Sequence, residues 1–229
     1  YAHEPQHDKH SRHGDPTPPH PPTGCCNILV SPDGERTMAT HIGIGSQLNP
    51  DEVNEDILNS IDHVYMESYL WDHELTKKTL KKFSDIAKSK NIEMSLSLSD
   101  PFCVDRHRDE LKNFITDNVD LVFCNFDEAK MFTQSDSMAD VSSFFKNFGK
   151  KIVMTSGAEG AYYFFEDDVK HQSAQKIENV LDTTGAGDNF AAGFLDFYLS
   201  GKPVDEALKN GNRKAEEVIQ QLGPRIKRA

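Results

Sequence analysis

Cysteine, tryptophan and positive charge are all scarce in this chain of 229 residues. The four cysteines, Cys25, Cys26, Cys103 and Cys124, form no C-x-x-C pair, so no zinc ribbon or disulfide framework is written here. Buried thiols in a reducing cytoplasm are the expectation. Lysine and arginine number 25 against 37 acidic residues, and a net charge of −12 argues against nucleic acid or an anionic membrane as main partner. No apolar run approaches the roughly 20 residues that span a bilayer, and no charged-then-apolar leader opens the chain. A soluble, cytoplasmic protein is predicted. Two phosphate-binding signatures are also missing. There is no G-x-x-x-x-G-K-[ST], and Gly43-Ile44-Gly45 lacks the third glycine of a dinucleotide loop, which counts against a dinucleotide oxidoreductase.

The length suits one well-buried domain with at most a small appendage. Residues 1–23 carry five of the ten histidines and six of the eleven prolines, with Tyr1 and Ala2 as the only apolar residues. Such a composition predicts a disordered, solvated tail. His3, His7, His10 and His13 also allow a metal-binding reading, although no cysteine or carboxylate frame accompanies them.

A folded domain is predicted over residues 24–229. Cys25–Val30 and Arg36–Thr40 read as a hairpin around Ser31-Pro32-Asp33-Gly34. Asn49-Pro50-Asp51-Glu52 reads as a helix start. Strands at 63–67, 92–98, 121–124 and 151–155 then alternate with helices reaching about Lys90, from about Val104 to Asn118, and over 126–133 and 137–148. After Gly160 a strand pair, 161–165 and 169–173, is predicted. The pattern predicts an α/β fold, a mostly parallel sheet with helices on both faces and an antiparallel hairpin at its edge.

The stretch Asp182-Thr183-Thr184-Gly185-Ala186-Gly187-Asp188 reads as a turn entering a helix, whose buried face is Phe190, Ala191, Phe194, Leu195 and Tyr198. Asp182, Thr183 and Thr184 are capping residue types. The N–H groups of Gly185, Ala186 and Gly187 would form an anion hole at the helix start. A capped helix explains the glycines equally well, but not Asp188. A carboxylate beside an anion hole makes sense as a base that takes a proton from an attacking hydroxyl.

In open α/β sheets ligands bind beyond the carboxyl ends of the strands. Asn125 and Glu128 follow one such strand and share a face of the helix it enters. They could hold phosphate oxygens and Mg²⁺, or simply cap the helix. Thr155, Gly157 and Gly160 follow the next strand, as a nucleotide contact or an ordinary glycine turn. Asp100 ends another. Near the C-terminus Ala207, Asn212 and Ala215 lie in a pattern that suits either helix packing or a flat ring.

The run D-T-x-G-A-G-D followed by x-x-A-A-G-F-L resembles the carboxy-terminal signature of the ribokinase-like carbohydrate and nucleoside kinases. T-G-C-C-N-I-L-V-S-P-D-G-E-R-T-M, N-x-x-E at Asn125 and T-x-G-x-x-G at Thr155 are similar to further motifs of that family, and they arrive in its order over about residues 24–224. The resemblance implies ATP and Mg²⁺ as cofactors, with Asp188 and the amides of residues 185–187 catalytic. It implies ATP contacts at Asn125, Thr155, Gly157, Gly160, Asp182, Thr183, Asn212 and Ala215. Arg36 and Asp100 would lie near the phosphates, and Glu128 would order Mg²⁺ through water. Phe102 departs from the family by replacing a commonly polar residue. The segment Ser95–Glu110, with Glu67–Asp72, looks closest to bacterial members labelled adenosine kinases, so adenosine is the expected acceptor and a sugar the alternative. A small nucleoside or sugar is the implied partner, and a homodimer is left open.

Relatives begin with further strands, part of a lid, a Gly-Gly motif and an acceptor-binding aspartate, none of which residues 1–23 resemble. The N-terminal strands and lid are therefore expected to be incomplete. The competing expectation to an active kinase is a nucleotide-binding fragment whose acceptor site is absent.

Overall fold

The computed structural model describes residues 21–226. The histidine-rich stretch through His20, and with it the tail and metal readings, lies outside the described residues. Thr23 already opens the first strand.

Two strands, β1 (Thr23–Val30) and β2 (Arg36–Gly43), form an antiparallel ribbon that pairs with no other strand among the described residues. The six-stranded sheet takes β3 (His63–Glu67), β4 (Glu93–Ser97), β5 (Leu121–Asn125), β6 (Lys151–Thr155), β7 (Ala161–Phe165) and β8 (Asp168–Gln172) in chain order. β3 to β6 are parallel, and β7 and β8 return antiparallel at one edge. The helices are α1 (Glu55–Leu58), α2 (Glu74–Ser89), α3 (Pro101–Asn118), α4 (Phe126–Thr133), α5 (Met138–Asn147), α6 (Ala186–Leu199) and α7 (Val204–Val218).

Successive side chains of a strand point to opposite faces, and a sheet covered on both sides needs apolar residues at every position. β5 shows this directly. Val122 and Cys124 join a core with Leu111, Ile115, Phe132 and Phe145 of α3, α4 and α5. Leu121 and Phe123 join a second core with Phe190, Phe194 and Leu208 of α6 and α7. Helices therefore cover both faces, as the alternating pattern predicts. Phe194 is fully buried and meets Phe123 edge-on at 5.6 Å. No helix among the described residues is long and apolar enough to cross a membrane.

Two expectations need correction. The helix predicted from Asn49 is a short 3₁₀ turn, Pro50–Glu52, broken by extended Val53 before the single turn α1. Asn49 and Asn54 each cap their own short piece, and only Leu58 of α1 is buried. Without a longer apolar face to bury, helix propagation does not recover its nucleation cost. The thiols were expected to be buried, but Cys25 and Cys26 are exposed on the ribbon, and only Cys103 and Cys124 are buried.

Removing the Phe194 ring leaves a cavity against Phe123. Phe194→Ala should lower the unfolding free energy by about 3–5 kcal/mol in urea titration. Leu29→Ala, on the exposed ribbon, should change it by less than about 0.5 kcal/mol.

Candidate active site

The parallel strands end together. Glu67 is level with Ser97, Ser97 with Phe123, and Asn125 with Thr155. α6 runs back across the sheet, because Tyr198 near its C-terminus bonds Lys151 and Glu93 at the strand starts. Its N-terminus, with Asp188, is therefore brought to the strand ends. The segments 97–100, 125–128, 155–160 and 182–188 thus share one edge of the sheet. Two concavities of about 710 and 620 Å³ lie elsewhere, between α2 and α3 and around Lys151 at the strand starts. Chemistry, not cavity size, marks the strand-end edge.

Asp182 is buried and bonded on both carboxylate oxygens, by the Thr184 N–H at 2.8 Å and the Gly223 N–H at 2.9 Å. Burial raises its pKa, but these bonds and the Arg36 charge outweigh it and hold the carboxyl below its ordinary value. The expected capping does not occur. α6 has Gly185 as its N-cap and no side-chain cap. Gly185 adopts φ +77°, and a Cβ there would lie 2.7 Å from Pro224 Cβ, so both the turn and its neighbour require glycine. The Ala186 N–H is spent on the Thr183 carbonyl at 3.2 Å. The N–H groups of Gly185, Gly187 and Asp188 find no acceptor among the described residues. The free amides are thus shifted from the expected set, with Asp188 in place of Ala186. Such N–H groups at a helix start favour an anion.

From the other side comes the ribbon. Arg36 Nη1 donates to Thr183 Oγ1 at 2.8 Å, and the Gly34 carbonyl accepts from both the N–H and the hydroxyl of Thr183. Arg36 is separated from Thr183 by 147 positions, yet the fold sets it beside the anion-binding turn.

Carboxylates crowd this edge. Burial, with smaller contributions from Asp100, Glu67 and Asp127 and against a bond from the Asn125 N–H, pushes Glu128 up to about 7. Burial also raises Glu67, against bonds from Ser99 and Tyr65, and nearby Asp188 adds to the rise. The Tyr69 phenol is pushed up to about 12 by burial and then by Glu67, Asp100, Glu128 and Asp188. This mutual repulsion fits a site that takes a divalent cation with its phosphates, since Mg²⁺ uses only one or two protein carboxylates. No three His, Cys, Asp or Glu side chains converge as a metal cage among the described residues.

Asn125 and Glu128 form a reciprocal capping box. Glu128 accepts from the Asn125 N–H at 2.9 Å and its side-chain amide at 2.8 Å, and Asn125 accepts from the Glu128 N–H at 2.8 Å. Asp100 caps α3 through the Cys103 N–H. Gly157 faces open space, whereas Gly160 is pressed against the Gln172 carbonyl. Asn212 donates to the Gln172 and Ser173 carbonyls, tying α7 to the end of β8. Ala215 packs half-buried on the second core, and Ala207 is fully buried there, so the small residues of α7 serve helix packing.

Two site residues were not singled out from the sequence. Glu67 ends β3 and accepts from the Ser99 hydroxyl, while Ser99 holds φ +61° and its carbonyl accepts from the Tyr69 hydroxyl at 2.9 Å. The strand-end rule would have found Glu67. Ser99 stands at the strand end that offered Asp100 as a candidate, but no role of its own was read there.

A family model for pfkB family carbohydrate kinases matches residues 16–228. The chain belongs to that family. The structure of an adenosine kinase from Sinorhizobium meliloti superposes with a TM-score of 0.87 at 37% identity, over 90% of this chain and 63% of that one. A cytidine kinase of Thermococcus kodakarensis is 32% identical over 52% of this chain and 43% of its own length. A ribokinase of Staphylococcus aureus is 25% identical over 88% of this chain and 65% of its own. The chain thus spans less than two-thirds of the length of these family members.

Glu128 yields a pH prediction. Its folded pKa of about 7 lies above the ordinary 4.5, so the folded state holds a proton that the unfolded chain releases. Stability should fall as pH rises through this window, by up to about 3 kcal/mol, and stay level above it. Denaturant titrations without divalent cations should find that loss in the wild type and not in Glu128→Gln.

Proposed function

We propose that this chain performs ATP-dependent phosphoryl transfer to a ribose-type hydroxyl, with adenosine as the favoured acceptor and a free sugar as the alternative. The observation that carries the reading is Asp188. It stands exposed in the first turn of α6, beside N–H groups without an acceptor among the described residues, and Arg36 bonds Thr183 of the same turn. Anion-binding amides and a base within one turn suit a reaction in which a hydroxyl loses its proton while attacking a held phosphate.

In this reading Asp188 accepts the proton of the acceptor hydroxyl as the oxygen attacks the γ-phosphorus, while the bond from that phosphorus to the β-phosphate oxygen breaks and ADP leaves. The amides of Gly187 and Asp188 bind the oxygens on which charge grows, and Arg36 adds positive charge from the ribbon. Glu67, facing Asp188, accepts a hydrogen bond from another acceptor hydroxyl. Thr155 and Gly157, at the end of the neighbouring strand, would contact the nucleotide, with Gly157 facing open space. Mg²⁺ bound with ATP would be ordered by Glu128 and Asp100 through water and would neutralise phosphate charge. The S. meliloti structure bears the name adenosine kinase, which supports adenosine as acceptor. ATP as donor and four unpaired cysteines suit a reducing cytoplasm.

The test pairs calorimetric titration with ATP and a turnover assay offering adenosine and ribose. Asp188→Asn should cut turnover by about 10²–10⁴-fold while ATP binding stays nearly unchanged. Full activity in that variant would remove Asp188 from its role. ATP binding by the wild type with no product from either acceptor would make the chain a nucleotide-binding piece. No ATP binding would overturn both readings.

A further inference from the structure

The anion-binding turn is built from residues that impose little shape of their own. Gly185 and Gly187 have no Cβ and accept many backbone conformations, and α6 begins without a side-chain cap. The direction of the Gly187 and Asp188 N–H groups must therefore be set by contacts from outside the turn.

Besides the ribbon's bonds to Thr183, those contacts come from the segment after α7. The Ile219 carbonyl accepts from the Leu181 N–H at 2.8 Å. The Gly223 N–H donates to Asp182 Oδ2 at 2.9 Å. Pro224 packs so closely on Gly185 that no side chain fits between them. The remaining link is Asn189, whose amide donates to the Gly185 carbonyl at 2.8 Å and to the Pro224 carbonyl at 2.9 Å. An asparagine that only bonds back to the carbonyl four residues earlier is a common local helix contact. Here one amide group spans two segments, and the second acceptor lies 35 residues further along the chain.

We propose that Asn189 is a positioning residue that locks the anion-binding turn to the C-terminal segment, so that the segment holds Gly187 and Asp188 in their working orientation. The kinetic side of this inference rests on the proposed kinase reading. The geometric side does not.

Two variants separate the lock from simple packing. Asn189→Ala removes the amide. Asn189→Asp keeps the shape but replaces the donor with a carboxylate that repels both carbonyls. Hydrogen–deuterium exchange of the full chain without ligand should show residues 185–190 and 223–226 loosening together. The increase should be about five- to fiftyfold in both variants, with the sheet unchanged. If the chain is active, both variants should lose about 10²-fold in kcat with a smaller change in the KM for ATP, as expected when oxyanion donors are misaimed. Wild-type exchange at residues 185–190 in Asn189→Asp would overturn the lock, because a packing role survives an isosteric change. So would loosening of the turn without loosening of residues 223–226. The exchange result decides the lock even if no acceptor is ever phosphorylated, whereas Asp188→Asn and the ATP titration decide the kinase reading.

Discussion

The buried carboxylate of Asp182 is the interaction on which the site depends. Burying a charge is costly unless it is fully bonded, and Asp182 meets that condition with N–H groups from its own turn and from the C-terminal segment. The adjacent Thr183 meets the ribbon through Gly34 and Arg36. Three parts of the chain, far apart in sequence, therefore converge on two neighbouring residues. Local preference alone would leave this glycine-containing turn undetermined, and convergence determines it.

The sheet supplies the setting. Parallel strands covered on both faces must end together at one edge, and each right-handed crossover begins there with a helix N-terminus. Capping residues accumulate at that edge for a purely local reason, as Asp100 and the Asn125–Glu128 box show. The same edge also carries Glu67 and Asp188, and this crowding adds to the raised pKa values of Glu67 and Glu128. A feature that stabilises single helices thus makes the ensemble electrostatically strained, and strain of this kind concentrates where ligands bind.

Much of the architecture was legible in the sequence because it obeys short-range rules. The period-two pattern of β4, the apolar run of β5 and the stripe of α6 each announced an element. What was not legible depended on distant contacts. The helix expected at Asn49 failed because, of residues 51–58, only Leu58 is buried, too little apolar surface to carry a continuous helix. Asp182 looked like a cap, but its partner Gly223 lies 41 positions away. The free amides were misplaced by one residue because the Ala186 N–H turned inward to Thr183. The role of Ser99 was not readable because its left-handed backbone is held by Glu67 and Tyr69, contacts that no local pattern encodes.

The ribbon of β1 and β2 has a different energetic character from the sheet. Nearly all its residues are exposed, including Leu29, Met38 and Ile42, so little apolar burial resists its separation from the body. Its contact with the turn rests on a handful of hydrogen bonds around Thr183. Segments with so little apolar burial belong to the low end of the local stability scale. Neither core includes a ribbon residue, so Arg36 reaches the anion-binding turn from outside both of them. The charge complement of that turn therefore depends on a contact that neither core enforces.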